Sequence, residues 1–534
     1  MPNLVIELET EREKTAPSDL KPHTALFRPV VSPISRFVFL LGIASLLIHF
    51  PGRNQYGFFR DELYYIACGN HLAFGYVDQP PLIALIARLS SLAFRNTMSG
   101  FRFLPALAGA CMVLLTGWMA RELGGGRFAQ ALACVAVLLA PLYLAFGSFL
   151  SMNAFEPLFW MTCTYILVCI LKGSDERLWL LFGAVAGTGL QNKHTMLMFG
   201  FSVVIGMMLT PDRKYLRTKW FWFGGMLALA IFLPNLVWEA KHHWPQLECV
   251  RNCQRLKNAP VGTLRFLGEQ ILFLNPVAFP AIAAGLTWLF LSKRGKQFRS
   301  LGWAYLVVIA VVRILNGKTY YPMPFYAILL ATGGVALETL LLGSRKWLRP
   351  AYLAMLVVSG LVMLPFDVPV LPVEMVMRYQ NLISLQKTVK MERDSQGEFH
   401  QLYADMFGWE SMVATVANAY HHLSPPDQKH CAILAGNYGE AGAIDLLGAK
   451  YGLPTAISGH NNYYFWGMNG YSGEVVMLFG QRAEVTKTMF GAVEQVATIS
   501  SRFAAPAENH LPVYVCRRPK APLPALWPSL RYFE

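Results

Sequence analysis

Between Tyr56 and Leu85 the chain reads YGFFRDELYYIACGNHLAFGYVDQPPLIAL, with Asp61, Glu62 and Asp78 standing among aromatic residues and glycines. The stretch directly follows the first long apolar run. Carboxylates beside a membrane are expensive to keep unless they face water or a polar site. Asp61 is the candidate catalytic group, because a carboxylate at the mouth of a membrane cavity can take the proton of an attacking hydroxyl or amine. The plainer alternative is capping. FFRDELYYIA begins an amphipathic helix with Leu63, Ile66 and Ala67 on its apolar side, and early acids suit the positive end of the helix dipole. Glu62 is a candidate substrate contact. Asp78 precedes Gln79 and the Pro80-Pro81 pair, which suits the start of a helix over LIALIARLSSLAF. It either caps that helix or holds a substrate group or a divalent cation.

Farther along, FLSMNAFEPLFW sets Asn153 and Glu156 three residues apart, on one helix face at the outer end of an apolar run. Cations follow on the same side. Lys193 and His194 lie in GLQNKHTM, and Arg313 and Lys318 in VVRILNGKTYYPMPFY. A lipid phosphate needs such partners, with lysine as a point charge and arginine as a fork. Tyr320 and Tyr321 suit either a substrate contact or the aromatic belt of a membrane interface. In KHHWPQLECVRNCQRLK, the spacing of His242, His243, Cys249 and Cys253 is not a standard zinc pattern. Two free thiols are expected there, ahead of a local disulfide. GNYGEAG at 436–442 is G-x-x-G-x-x-G, not the dinucleotide-binding G-x-G-x-x-G, and reads as a tight turn and helix start.

The elements that must position these groups are mostly apolar. Of 534 residues 54% are hydrophobic and only 15% charged, against about 25% charged in soluble proteins. Apolar runs near 37–51, 103–120, 128–147, 154–171, 178–191, 195–210, 220–238, 270–291, 300–315, 322–342 and 350–366 predict about eleven spans. Runs 178–191 and 195–210 are short enough to be half-membrane helices. The net charge of +14 is scattered in short clusters between the runs, which argues against nucleic-acid binding. Those clusters, from Arg121/Arg127 to Arg345/Lys346/Arg349, fall in alternate loops and mark the cytoplasmic side. Loops 51–102, 239–268 and 316–321 and everything after 367 then lie outside. Residues 1–36 are polar, lack the features of a cleavable signal peptide and are expected to form a cytoplasmic tail. After Pro365, helical patterns alternate with short apolar runs, CAIL, EVVMLF and PVYV. The expected fold class is a polytopic α-helical membrane protein, with a membrane domain over 37–366 and an extracytoplasmic α/β domain over 367–534.

Three blocks carry a family resemblance: FRDELYYIACGNHLAFGYVDQPPLIA, GLQNKHTMLMFG and NGKTYYPMPFYAILLATGGVALE. They resemble the GT-C type glycosyltransferases that use lipid-linked sugars. Within that type the likeness is to family 39 and the Rgt-like transferases, relatives of protein O-mannosyltransferases and of the aminoarabinose transferase of lipid A. It covers roughly residues 36–342. GNYGEAGAIDLLG and AISGHNNYYFWG resemble the periplasmic tail of bacterial members and are given no catalytic role. The resemblance implies inverting transfer from a polyprenyl-phosphate sugar to a protein, lipid or glycan acceptor. The reaction would take place on the periplasmic face of a bacterial inner membrane, without a nucleotide cofactor. It makes Asp61 the base and Asp78 the acid before Pro-Pro. The lipid A branch has Glu-Lys where this chain has Asp78-Gln79, which shifts phosphate binding to Lys193, Arg313 or Lys318. The family's second acidic motif falls on Glu156 or Asn153. Asp78 and Glu156 are the candidate ligands if a divalent metal ion takes part. The alternative, a transporter or flippase of polyprenyl-linked sugars, often shows internal repeats, and none is evident.

Overall fold

The computed structural model describes residues 36–50, 56–259, 261–383, 399–481 and 483–534. Apart from Arg36, the expected N-terminal tail lies outside the described residues. Among these residues six helices are long and apolar enough to cross a membrane: Met98–Glu122, Met152–Leu171, Lys219–Lys241, Gly295–Ile314, Met323–Leu340 and Gly343–Asp367. Three further spans are formed if each of three bent helix pairs counts as one, with bends of 60°, 117° and 93°. The remaining apolar runs also fold as helices, but Arg36–Ile48 and Leu178–Asn192 have only 13 and 15 residues.

The bends have local causes. Run 128–147 breaks before Pro141, which opens the Pro141–Gly147 helix at its first position, where a missing N–H costs nothing. Run 270–291 breaks at Asn275, whose φ of 75° leaves the helical region and whose side chain accepts from the Val277 N–H. Pro276 follows and cannot continue the ladder. Between the Leu178–Asn192 and Thr195–Met208 helices, Lys193 is fully extended at φ −160° and ψ 135°.

The basic loops gather at one end of the bundle. Lys172 bonds to the Glu122 carbonyl at 3.0 Å, Gln297 to the Leu171 carbonyl at 2.6 Å, and Arg349 to the Glu338 carbonyl at 2.6 Å. At the other end lie the first outer helix, Arg60–Asn70, and the helix Leu82–Phe94.

The C-terminal region carries a five-stranded mixed sheet. Its strands are β1 (Cys431–Leu434), β2 (Ala456–Ile457), β3 (Val475–Leu478), β4 (Phe490–Ile499) and β5 (Leu511–Pro519), in the order β2-β1-β3-β5-β4. β1 pairs in parallel with β2 and β3, while β5 pairs antiparallel with β3 and β4. Successive side chains alternate between the faces. Ile433, Met477 and Val515 enter one core with Leu63, Tyr64 and Ile66 of the first outer helix. Ala432, Leu434, Val476 and Leu478 pack on the opposite side with Leu523 and Trp527. The sheet thus roofs the first outer helix, and the acids sit at that seam.

Candidate active site

Glu62 and Arg102 anchor the seam. The Arg102 guanidinium donates to both Glu62 oxygens, through Nε at 3.1 Å and Nη2 at 2.8 Å, and to the Gly57 carbonyl at 2.7 Å. The carboxylate also accepts from the Phe59 N–H at the start of its own helix and from the Leu150 N–H, both at 2.8 Å. Each oxygen therefore takes two donors, which fills its acceptor capacity. With both side chains out of solvent, Glu62 fastens the loop, and the geometry leaves it no oxygen to offer a substrate.

Asp61, one residue earlier, points elsewhere. Its side chain is 32% exposed and lines a cavity of about 200 Å³. Leu142, Phe146, Phe149, Phe273 and Phe366 give that cavity an apolar wall, and Lys318 and Tyr320 close it. One Asp61 oxygen accepts from the Tyr438 hydroxyl at 2.8 Å, and the Arg60 Nε is 3.9 Å away.

Asp78 accepts from the Tyr64 hydroxyl at 3.0 Å. It does not cap the following helix, whose N-cap is Pro81 with no side-chain bond. Burial pushes the Asp78 carboxyl up to about 7; the Tyr64 bond opposes the shift and the Asp61 charge adds to it. The loop is framed from the C-terminal region, where Asn462 accepts from the Val77 N–H at 2.7 Å and donates its own N–H to the Tyr64 oxygen at 3.3 Å. Gln79 is fully buried, and its side-chain amide nitrogen lies 3.5 Å from the Cys68 Sγ.

Asn153, Glu156 and Lys193 do come together. The Lys193 ammonium is 2.7 Å from both Asn153 Oδ1 and Glu156 Oε2. It also lies over the rings of Tyr321 and Tyr320, at 4.8 and 5.4 Å from their centroids. Thr195 donates to the other Glu156 oxygen. Asn153 is not the helix cap; Ser151 is, accepting from the Asn153 N–H. His194 pairs instead with Asn235, which donates to the Phe74 carbonyl, so it braces the loop before Asp78. Arg313 bonds Thr263 and Asn316 beside a second cavity of about 540 Å³. Lys318 and Tyr320 line both cavities.

Glu156 already holds an ammonium and a hydroxyl, and no group of three or more His, Cys, Asp or Glu placed for a metal ion occurs among the described residues. Cys249 and Cys253 are free thiols with sulfurs 4.0 Å apart.

Sequence reasoning missed Tyr438, Tyr64 and Arg102. A signal existed for Arg102, a lone charge at the head of an apolar run. The tyrosines carried none beyond their composition.

Residues 78–238 match the model of the dolichyl-phosphate-mannose-protein mannosyltransferase family. Over 308 residues the chain is 22% identical to the lipid A galacturonosyltransferase RgtD of Rhizobium johnstonii, across 53% of this chain and 60% of that protein. The chain thus spans about three-fifths of the length of that curated relative. In fold it is similar to ArnT from Cupriavidus metallidurans, both bound to undecaprenyl phosphate and in the apo state. Each comparison has a TM-score of 0.56 at 14% identity, covering 90% of this chain and 98% of the other. The likeness runs through 90% of the chain, and it shows that the chain shares the fold of ArnT.

Proposed function

We propose that the protein transfers a sugar, with inversion, from a polyprenyl-phosphate donor to an envelope acceptor at the periplasmic face of a bacterial inner membrane. The observation that carries this reading is the partly exposed carboxylate of Asp61 at the polar end of an apolar cavity that also presents Lys318. The comparisons support it: ArnT binds undecaprenyl phosphate, the matching family is described by a dolichyl-phosphate sugar, and RgtD is a galacturonosyltransferase. That the basic loops lie at the end of the bundle away from Asp61 supports an outward-facing Asp61 by the positive-inside rule. Residues 37–366 are assigned as the membrane catalytic part and 367–534 as the periplasmic domain.

The donor's lipid chain follows the apolar wall and its phosphate meets Lys318. Asp61 takes the proton from the acceptor hydroxyl or amine as that atom bonds the anomeric carbon. The carbon–oxygen bond to phosphate breaks on the opposite face, its electron pair leaving on a phosphate that the ammonium neutralises. Lys193 is committed to Glu156 and Asn153 and acts by holding Tyr320, which lines the cavity, and Tyr321.

The test uses purified protein in bilayer discs, with a polyprenyl-phosphate sugar and an envelope extract as the acceptor source. Polyprenyl phosphate should be released, and Asp61→Asn should abolish the release while leaving the folded yield intact. Full activity in Asp61→Asn sinks the base assignment. Lipid movement across the bilayer without sugar transfer sinks the transferase.

A further inference from the structure

The GNYGEAG stretch is where the outer domain meets the candidate base. Asn437 caps the Tyr438–Leu447 helix, accepting from the N–H groups of Gly439 at 2.9 Å and Glu440 at 3.0 Å. Glu440 closes the box by accepting from the Asn437 N–H at 3.3 Å. This helix lies on the first outer helix at a distance only glycine permits. A Cβ added at Gly442 would stand 2.9 Å from the Leu63 carbonyl carbon and oxygen, and one at Gly439 would stand 2.6 Å from Arg60 Cγ. Glycines three apart share a helix face. The motif that fails as a nucleotide fingerprint therefore works as a contact between two helices.

That close approach carries Tyr438 to Asp61. Its hydroxyl is 2.8 Å from the Asp61 Oδ1. Its ring makes tilted contacts with those of Tyr64 and His460, with centroids 4.7 and 4.6 Å away. Its backbone N–H donates to the His460 Nδ1 at 3.2 Å. Tyr64 in turn donates to Asp78. Two tyrosines in ring contact, one from each part of the chain, thus hold Asp61 and Asp78.

We propose that Tyr438 is a positioning residue for Asp61: its hydroxyl holds one carboxylate oxygen so that the other faces the acceptor, and the outer domain thereby completes the active site. The proposal rests on the reading of Asp61 as the base. Burial pushes the Tyr438 phenol well above its ordinary value, so it stays a donor at working pH. A carboxylate held by one fixed bond keeps its free oxygen in the attack geometry, and small misplacements of a reacting group are costly in rate.

Tyr438→Phe keeps both ring contacts and removes only the hydroxyl. A hydrogen bond to a charged group contributes about 1.5–3 kcal/mol, so kcat for release of polyprenyl phosphate should fall about 10- to 100-fold. KM for the polyprenyl-phosphate sugar should stay within about twofold, because the lost interaction is needed in the chemical step. An unchanged kcat, or a loss that appears only in KM, overturns the proposal. Asp61→Asn, run in parallel, separates the two claims: its normal turnover removes the base, whereas normal turnover in Tyr438→Phe alone removes only the positioning role. Should Tyr438→Phe fail to accumulate, Gly442→Ala pushes the helix off Leu63 and must show the same loss in kcat. Wild-type kcat in that variant also overturns the proposal.

Discussion

Arg102→Met tests the anchor beneath the candidate base. The substitution keeps an unbranched apolar stem and removes the cation paired with Glu62, in a pair whose side chains are 2% and 0% exposed. Removing one partner of a buried pair costs about 3–5 kcal/mol, because a charge is left uncompensated. Glu62 would keep its bonds from the N–H groups of Phe59 and Leu150. The Gly57 carbonyl would lose its donor. These effects oppose each other, and the lower end of the range, about 3 kcal/mol, is expected. Glu62→Gln in the Arg102→Met background removes the stranded charge while keeping an acceptor for one N–H, and should regain about 2 kcal/mol. Denaturant unfolding of the four proteins in one detergent gives the coupling energy of the cycle. Coupling under about 0.5 kcal/mol would falsify the claim that the two groups act as a buried ion pair. The effect should also reach activity. Glu62 ties Phe59, two residues before Asp61, to Leu150, so the single variant should turn over slowly under conditions where it is still folded.

Two further outcomes follow from the same geometry. Asp78 holds a proton up to about pH 7 in the folded chain and loses it near the ordinary carboxylate range, about 4, when unfolded. Between those values the folded state binds more protons, so stability falls as pH rises and levels off above about 7. Asp78→Asn should flatten that slope in unfolding scans from pH 4 to 8, and an unchanged slope would show that another group sets it. Lys318→Gln should raise KM for the polyprenyl-phosphate sugar about 10- to 100-fold, the value of one charge-assisted bond. The side chain borders both cavities, and an unaltered KM would move the phosphate elsewhere.

What could be read from sequence depended on how far apart in the chain the cooperating residues lie. Long apolar runs announce helices by themselves, and CAIL, EVVMLF and PVYV became the three central strands β1, β3 and β5. Strand β4 was missed because FGAVEQVATI is buried only at its ends and is partly or fully exposed between them, so no alternation marks it. Lys193, Glu156 and Asn153 were all selected as outer-side polar groups, yet nothing in their spacing said that they bond one another. Glu62 was misjudged for a related reason: its partner lies forty residues on, and its other donors are backbone N–H groups, which leave no trace in residue type.

The first outer helix shows the physical origin of these misses. An amphipathic pattern was expected over FFRDELYYIA, with Leu63, Ile66 and Ala67 inward and the opposite face wet. In the structure every residue from Glu62 to Gly69 is buried, because the bundle covers one face and the C-terminal sheet and its helices cover the other. Periodicity detects a helix that meets one apolar surface and water. It fails on a helix clamped between two bodies, where polar groups must be paired instead of solvated. Tyr64 then needs Asp78, Glu62 needs Arg102, and Asp61, next to Arg60, keeps an edge toward the cavity. Two neighbouring acids that look equivalent in the sequence are set about 100° apart around the helix. One faces the anchor and the other faces the cavity.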